Sequence, residues 1–296
     1  MQELFNTVIA VFIVLTMLSA GFTTTFDQVK SVFRKPALIV SVLAVGILLR
    51  PLVGWGAAEV FGLTSAAFVA MVVTASAPGA PFGAKLVMTA KADVSSGAVL
   101  QVMLAVVMSF TFAPAANAII GAADLGSDLS LPVADILKTV VVLQLTPFVV
   151  GILMRHWTED VALKWNEFAA KGSSALFLVV LVGALFGSWQ TIVDIIGDRV
   201  LIAGAIVSAV MIALGYFLSS GDTKTRQATG LVEPMSNSGP CFAAVAIAFG
   251  NDPAILGAMT GILLVQLVVG VVVAGYFGKE SDASGRSETP AAQAAA

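Results

Sequence analysis

The sequence predicts an all-α membrane protein whose chain crosses the bilayer many times. Of its 296 residues, 58% are hydrophobic and 11% are charged, which is far more apolar than a soluble domain. Apolar runs of about membrane-spanning length recur along the whole chain. Two of these runs are interrupted by proline, glycine and polar residues at corresponding places in the two halves. An interrupted helix persists in hydrocarbon only where protein or a wet cavity covers its free backbone groups.

Polar clusters divide the chain into nine predicted transmembrane helices. These helices cover residues 4–23, 36–61, 66–91, 94–121, 133–155, 172–190, 199–219, 226–250 and 253–277. The first is interpreted as a retained helix and not as a cleaved signal, because Glu3 precedes it and no Lys or Arg does. The second contains Pro51 and is expected to be kinked.

The distribution of Lys and Arg supports this division and gives the orientation of the helices. With the N-terminus outside, the outer loops hold only two basic residues, Lys138 and Arg199. The inner side then collects the other basic residues of the loops and tail: Lys30, Arg34, Lys35, Lys91, Arg155, Lys164, Lys171, Lys224, Arg226, Lys279 and Arg286. This asymmetry follows the positive-inside rule. We therefore expect a multi-pass protein of the cell (inner) membrane with a cytoplasmic C-terminus.

Landmarks of the first half recur in the second half in the same order. Thr74, Pro78, Asp93 and Gly97-Ala98 correspond to Thr229, Pro234, Asp252 and Gly257-Ala258. An odd number of helices separates the halves, which predicts an inverted repeat of four plus four helices. The predicted organisation is a first repeat at 1–121 with a break at 78–85, a linking helix and loops at 122–171, a second repeat at 172–278 with a break at 232–240, and a disordered tail at 279–296.

The two breaks form the candidate functional site. Prolines and glycines remove amide donors or loosen the helix, and the freed carbonyls and half-helix ends can bind ions or anionic groups. Paired breaks of this kind point to the substrate site of a secondary transporter. The candidate ion- or substrate-binding residues in and around the breaks are Arg50, Thr74, Lys85, Gln101, Glu233, Met235, Ser236, Asn237 and Ser238.

Three of these residues are charged, and the interpretations of Lys85 and Arg50 are open. Glu233 lies in the second break and Lys85 just past the first, so the two charges could meet if the broken helices cross. Lys85 could instead snorkel to the inner surface near Lys91. Arg50 could receive an organic anion, or it could pair with a carboxylate or a backbone carbonyl.

The single cysteine, Cys241, and the single histidine, His156, limit the chemistry of the chain. They exclude an internal disulfide, a cysteine-rich metal site and a histidine-based catalytic cluster. An intramembrane enzyme needs a nucleophile–base pair or an acidic metal motif within the bilayer, and the predicted helices contain neither. We therefore expect a transporter and not an enzyme, with a channel as an alternative, and no cofactor or nucleic-acid partner.

Three stretches match a known family in their order along the chain. They are Gly21-Phe-Thr-Thr-Thr-Phe26 through Arg34-Lys35-Pro36, Thr146-Pro147-Phe-Val-Val-Gly151 through Arg155, and Met235-Ser236-Asn237-Ser238-Gly239. With the break at Pro78-Gly79, these stretches resemble the bile acid:sodium symporter family. The resemblance implies core and panel domains, two broken helices that cross, and transport of a small organic anion through the lipid bilayer by alternating access.

The motifs of the breaks depart from that family's usual pattern. Val232 occupies the usual glutamate position and is followed by Glu233, while Gly83-Ala84 replace a Ser-Asn pair that normally supplies sodium oxygens. Glu233 remains a candidate sodium ligand. The resemblance implies two sodium sites, and these departures imply that at least one of them is dismantled in this chain. We expect the Lys85 ammonium to occupy the vacated site opposite Glu233, with Na⁺ or H⁺ as the coupling ion, or facilitated diffusion. Metalloid (arsenite-type) efflux, as in other carriers of the wider superfamily, is an alternative. Those carriers use a membrane cysteine near the first break, whereas Cys241 of this chain lies in the other repeat.

Overall fold

The computed structural model describes residues 2–124, 138, 140–187, 199–250 and 252–293. The regular elements of these residues are helices, which confirms the all-α class. In chain order they are α1 Gln2–Phe22, α2 Phe26–Phe33, α3 Pro36–Leu43, the π-helical turn π1 Ala44–Leu49, α4 Arg50–Val60, α5 Ser65–Ala75, α6 Pro81–Thr89, α7 Val94–Ala122, the π-helical turn π2 Val141–Leu145, α8 Thr146–Trp157, α9 Glu159–Gly187, α10 Val200–Leu218, α11 Thr223–Val232, α12 Ser238–Phe249 and α13 Pro253–Gln293.

Several of these helices are long and apolar enough to cross a membrane. In the described part of the chain, four helices have at least 18 residues and a sufficiently apolar stretch: Pro36–Val60, Val94–Ala122, Val200–Leu218 and Pro253–Ser281. A fifth span results if Thr7–Phe22 and Phe26–Phe33, which are bent by 93°, are taken together. The start of the fifth predicted helix and the end of the sixth lie outside the described residues. The protein is therefore a multi-pass helical membrane protein, and the number of nine stays a prediction.

Each π-helical turn ends two residues before a proline. The amide of Arg50 bonds to the carbonyl of Val45, and the amide of Thr146 bonds to that of Val141, five residues back in both cases. The ring of the following proline displaces the carbonyl four residues before it, and a π turn absorbs that displacement. The expected kink at Pro51 thus takes the form of a local widening in a helix that continues to Val60.

The helices pack as two groups. α1, α8 and α9 pack mainly on one another and form what we call the small group; α3 to α7 and α10 to α13 form the large group. Within the small group, α1 and α8 approach most closely at Gly21 and Gly151. A Cβ added at Gly21 would overlap the carbonyl oxygen of Phe148 and lie 2.8 Å from the Cα of Gly151. Small residues at helix contacts allow such an approach in membranes.

We expect Gly21→Ala to lower the free energy of unfolding by about 1–3 kcal/mol, the usual cost of overpacking. The added methyl group meets backbone atoms of α8, which cannot rotate away as a side chain can. Thermal melting in detergent measures the effect. Gly56→Ala on α4 is the matched control, because nothing lies within 4 Å of its added Cβ. Equal melting temperatures for the two variants would contradict this packing.

The last helix is longer than the sequence suggests. α13 continues to Gln293, so the backbone is helical through most of residues 279–296, for which the sequence predicts disorder. Ala is the commonest residue there, and it is the best helix former even when it buries little surface.

Candidate functional site

The two predicted breaks are interruptions of helices in the structure. The first separates α5, which ends at Ala75, from α6; the second separates α11 from α12 at residues 233–237. The breaks lie side by side, with an antiparallel bridge between Pro78 and Ser236. The amide of Asn237 donates to the carbonyl of Ala77 at 2.7 Å. Each break therefore supplies backbone partners to the other, as buried unwound segments require.

Ser236 joins the two breaks through its side chain as well. Its hydroxyl donates to the carbonyl of Thr74 at 2.8 Å, and its amide donates to the side-chain oxygen of Gln266 at 3.3 Å. The hydroxyl of Thr74 bonds back to the carbonyls of Ala70 and Met71 within its own helix. Thr74 thus contributes its carbonyl to the site, and its side chain only stabilises the end of α5.

Arg50 holds the second break from the opposite side. Its guanidinium is 1% exposed and donates to the carbonyls of Pro234 at 2.9 Å and Met235 at 3.3 Å, and to the hydroxyl of Ser236 at 2.6 Å. Of the two interpretations of Arg50, the structure supports pairing with backbone carbonyls. Met235 accordingly contributes its carbonyl, and its side chain is buried.

Gly79 and Gln101 complete the first break. Gly79 has φ +90°, a conformation that side-chain-bearing residues rarely adopt. The side-chain amide of Gln101 donates to the carbonyl of Gly79 at 2.9 Å and to the side-chain oxygen of Gln144 at 2.7 Å. Gln144 lies in π2, so this contact also links α7 to the segment that leads into the small group.

Glu233 lies next to the crossing with its carboxylate fully buried. Within the described residues, neither carboxylate oxygen has a hydrogen-bond partner. Gly46 in π1 and Gly215 in α10 make room for the side chain: an added Cβ at either glycine would lie 2.8 Å from a Glu233 side-chain atom. A buried carboxylate without partners is costly, and such a group is a functional candidate. Sequence reasoning missed both glycines, whose signal is a glycine within an apolar run.

Lys85 does not pair with Glu233, so the expectation that its ammonium sits opposite that carboxylate is wrong. Its ammonium instead donates to the hydroxyls of Ser173 at 3.0 Å and Ser174 at 2.8 Å, both on α9. Snorkelling is also not observed, because Lys85 is only 6% exposed. The reason is rotational: Lys85 faces the small group, whereas Glu233 faces π1 and α10. The two adjacent serines within an apolar segment were the signal that sequence reasoning missed.

Two candidate residues at the start of α12 have lesser roles in the contacts observed. Asn237 contributes its amide to the crossing, and its side chain makes no capping bond to α12. Ser238 begins α12 and is half-buried. A cavity of about 350 Å³ lies between α2, α7, π2 and α8, and the side chains that line it are all apolar. It therefore offers no polar group to an ion or an anion.

Comparison with protein families agrees with this geometry. Residues 10–195 match the model of the Sodium Bile acid symporter family. The match covers more than half of the chain and includes the first break, Arg50 and Gln101; it ends before the second break. Comparison with curated proteins gives no match. Members of the matched family are transporters and not enzymes. The chain therefore belongs to the sodium bile acid symporter family.

Proposed function

We propose that this protein is a secondary transporter that moves a small organic anion across the membrane by alternating access. The observation that carries the proposal is the pair of breaks that meet at Pro78 and Ser236, with their backbones bonded to each other. Half-helix ends and unwound backbone near the middle of the membrane are the usual elements of a transporter's binding site. An enzyme or a simple structural protein has no need of this arrangement.

The packing supports the finer architecture that the family implies. We propose nine transmembrane helices in an inverted repeat, with the small group as the panel and the large group as the core. Both breaks belong to the large group, while α1, α8 and α9 lie against it mainly near the first break. Movement of one group against the other would expose this region alternately to the two sides of the membrane.

Glu233 is our candidate for the coupling carboxylate. Its two unpartnered oxygens need a proton or a cation to compensate a buried charge. Sodium prefers a shell of several oxygens, and Gly83-Ala84 provide no side-chain oxygen at the place where the family has a Ser-Asn pair. We therefore propose that coupling at this position uses a proton, or that transport is facilitated diffusion, and that sodium is not required.

Reconstitution into proteoliposomes tests the proposal. We expect uptake of organic anions by the wild type to be unchanged when a sodium gradient is removed. Glu233→Gln should reduce the stimulation of uptake by a pH gradient at least tenfold, because a glutamine amide cannot take up and release the proton that the carboxylate would carry. Glu59→Gln is the matched control, because Glu59 is exposed and bonds only to Trp55 on its own helix. Sodium dependence that is strong in the wild type and lost in Glu233→Gln would show that Glu233 is a sodium ligand instead.

Metalloid efflux has less support from the site. Cys241 is fully buried, and its thiol approaches the carbonyl of Val73 at 3.8 Å. A thiol enclosed in this way packs α12 against α5 and faces no open space. A channel is also less well supported, because a continuous pore does not require two crossed breaks.

A further inference from the structure

Lys85 is a buried cation that has no anionic partner among the described residues. Its ammonium contacts only the neutral hydroxyls of Ser173 and Ser174. Charges within membrane-spanning segments usually pair with an opposite charge or line a pathway for a charged solute. Because the mechanism proposed above uses Glu233 and the crossing, it leaves this positive charge without a role.

The position of Lys85 is where the two helix groups meet. Lys85 lies on α6 of the large group, and both serines lie on α9 of the small group. Ser173 is buried and Ser174 is exposed, so the polar cluster borders the surface of the described structure on one side. A solute that enters between the two groups can therefore reach the ammonium once the groups separate slightly.

Three phenylalanine rings lie beside this cluster. Phe12, Phe82 and Phe177 come from α1, α6 and α9, with ring centroids 4.9 Å (Phe12–Phe82), 5.8 Å (Phe12–Phe177) and 6.1 Å (Phe82–Phe177) apart. Rings at such distances pack favourably with one another. The interface thus combines one positive charge with an apolar, aromatic wall.

We propose that Lys85 binds the negative charge of the transported anion, and that Ser173 and Ser174 hold its ammonium when no anion is bound. This inference rests on the proposed function and adds the residue that recognises the negative charge of the transported anion. Among the buried basic residues of the described structure, Arg50 is occupied by carbonyls, which leaves Lys85 to meet that charge.

The same contacts link binding to movement. The bonds from Lys85 to the two serines join the large group to the small group, and the contact between Gln101 and Gln144 joins the large group to π2, which leads into α8. An anion that takes the ammonium from the serines removes one of these links. Binding therefore favours separation of the groups, which alternating access requires.

The test compares binding of matched charged and uncharged ligands. Thermal-shift titration of the purified protein uses a panel of aliphatic and aromatic monocarboxylates, from acetate to phenylacetate, and their carboxamides. We expect at least one acid to raise the melting temperature of the wild type while its carboxamide does not. Lys85→Met should weaken binding of that acid at least tenfold, and Lys85→Arg should retain it. Lys164→Met, an exposed lysine on α9, should bind as the wild type does.

The double variant Ser173→Ala/Ser174→Ala shows whether Lys85 binds an anion or only makes a structural contact between the two helix groups. Because the acid no longer competes with the hydroxyls, we expect its affinity to rise about two- to tenfold. The inference is overturned if no acid shifts the wild type, if Lys85→Met binds as the wild type does, or if the double variant loses binding. Uptake into proteoliposomes distinguishes the two proposals: solute transport that persists in Lys85→Met rejects only the role of Lys85, whereas a wild type that transports no solute rejects the transporter itself.

Discussion

Replacing Arg50 with methionine is expected to lower the free energy of unfolding by about 3–5 kcal/mol, the typical cost of removing one partner from a buried charged network. The loss of the guanidinium leaves the carbonyls of Pro234 and Met235 without donors in a buried segment. It also removes a positive charge that interacts electrostatically with the Glu233 carboxylate. Without these bonds the second break cannot keep its shape against the first, so transport should be abolished. Melting in detergent and uptake into proteoliposomes measure the two effects.

Two further arginine variants show whether geometry or charge matters at this position. Arg50→Lys keeps a positive charge but lacks the planar fork that serves three acceptors at once, so we expect a smaller loss of stability and an equally clear loss of transport. Arg199→Met is the control, because Arg199 also donates to a backbone carbonyl, that of Phe61, but at an exposed position. Its effect should stay within about 0.5 kcal/mol. If Arg50→Met melts like Arg199→Met, Arg50 does not support the break.

The breaks could be predicted from the sequence because their causes are local. Proline lacks an amide hydrogen. Two prolines and a glycine within Pro78-Gly79-Ala80-Pro81, and Pro234 followed by Ser236-Asn237-Ser238-Gly239, strongly disfavour a continuous helix. The rule that unwound backbone must be covered in hydrocarbon then required a partner, and the other break was the natural one. The π turns before Pro51 and Pro147 have the same local cause, although the sequence analysis indicated only a kink at Pro51.

The partners of the charged residues could not be predicted in this way. Lys85 and Glu233 lie near the two breaks, and proximity along the sequence favoured an ion pair. Which way each side chain points depends on the rotation of α6 and α11 about their axes, and neighbouring helices set that rotation. The structure consequently brings Lys85 to Ser173 and Ser174.

The number of membrane crossings shows a related limit. A helix needs at least 18 residues to cross a membrane alone, whereas α5, α6, α11 and α12 have 11, 9, 10 and 12 residues. None of these four helices is therefore long enough to cross by itself. A count of long continuous helices therefore leaves out the helices on either side of the two breaks.

Gly79→Ala is expected to be the most disruptive conservative substitution in the first break, with a loss of more than about 4 kcal/mol in the free energy of unfolding. A residue with a side chain at φ +90° is strained by roughly 1–3 kcal/mol. In addition, the new Cβ would overlap the backbone nitrogen of Ala105 and lie 2.7 Å from its Cα. Backbone atoms of α7 cannot move aside, so the break must shift and lose the bond from Gln101 to the Gly79 carbonyl.

Gly239→Ala is the matched control for this prediction. Gly239 lies one residue into α12, directly after the second break, and an alanine Cβ there would have nothing within 4 Å. Alanine is also the better helix former, so this variant should be as stable as the wild type or slightly more stable. Melting in detergent, together with the yield of monodisperse protein, compares the two. If both variants keep the wild-type melting temperature, α7 does not approach the first break as closely as the structure shows, and the crossing loses its main steric support.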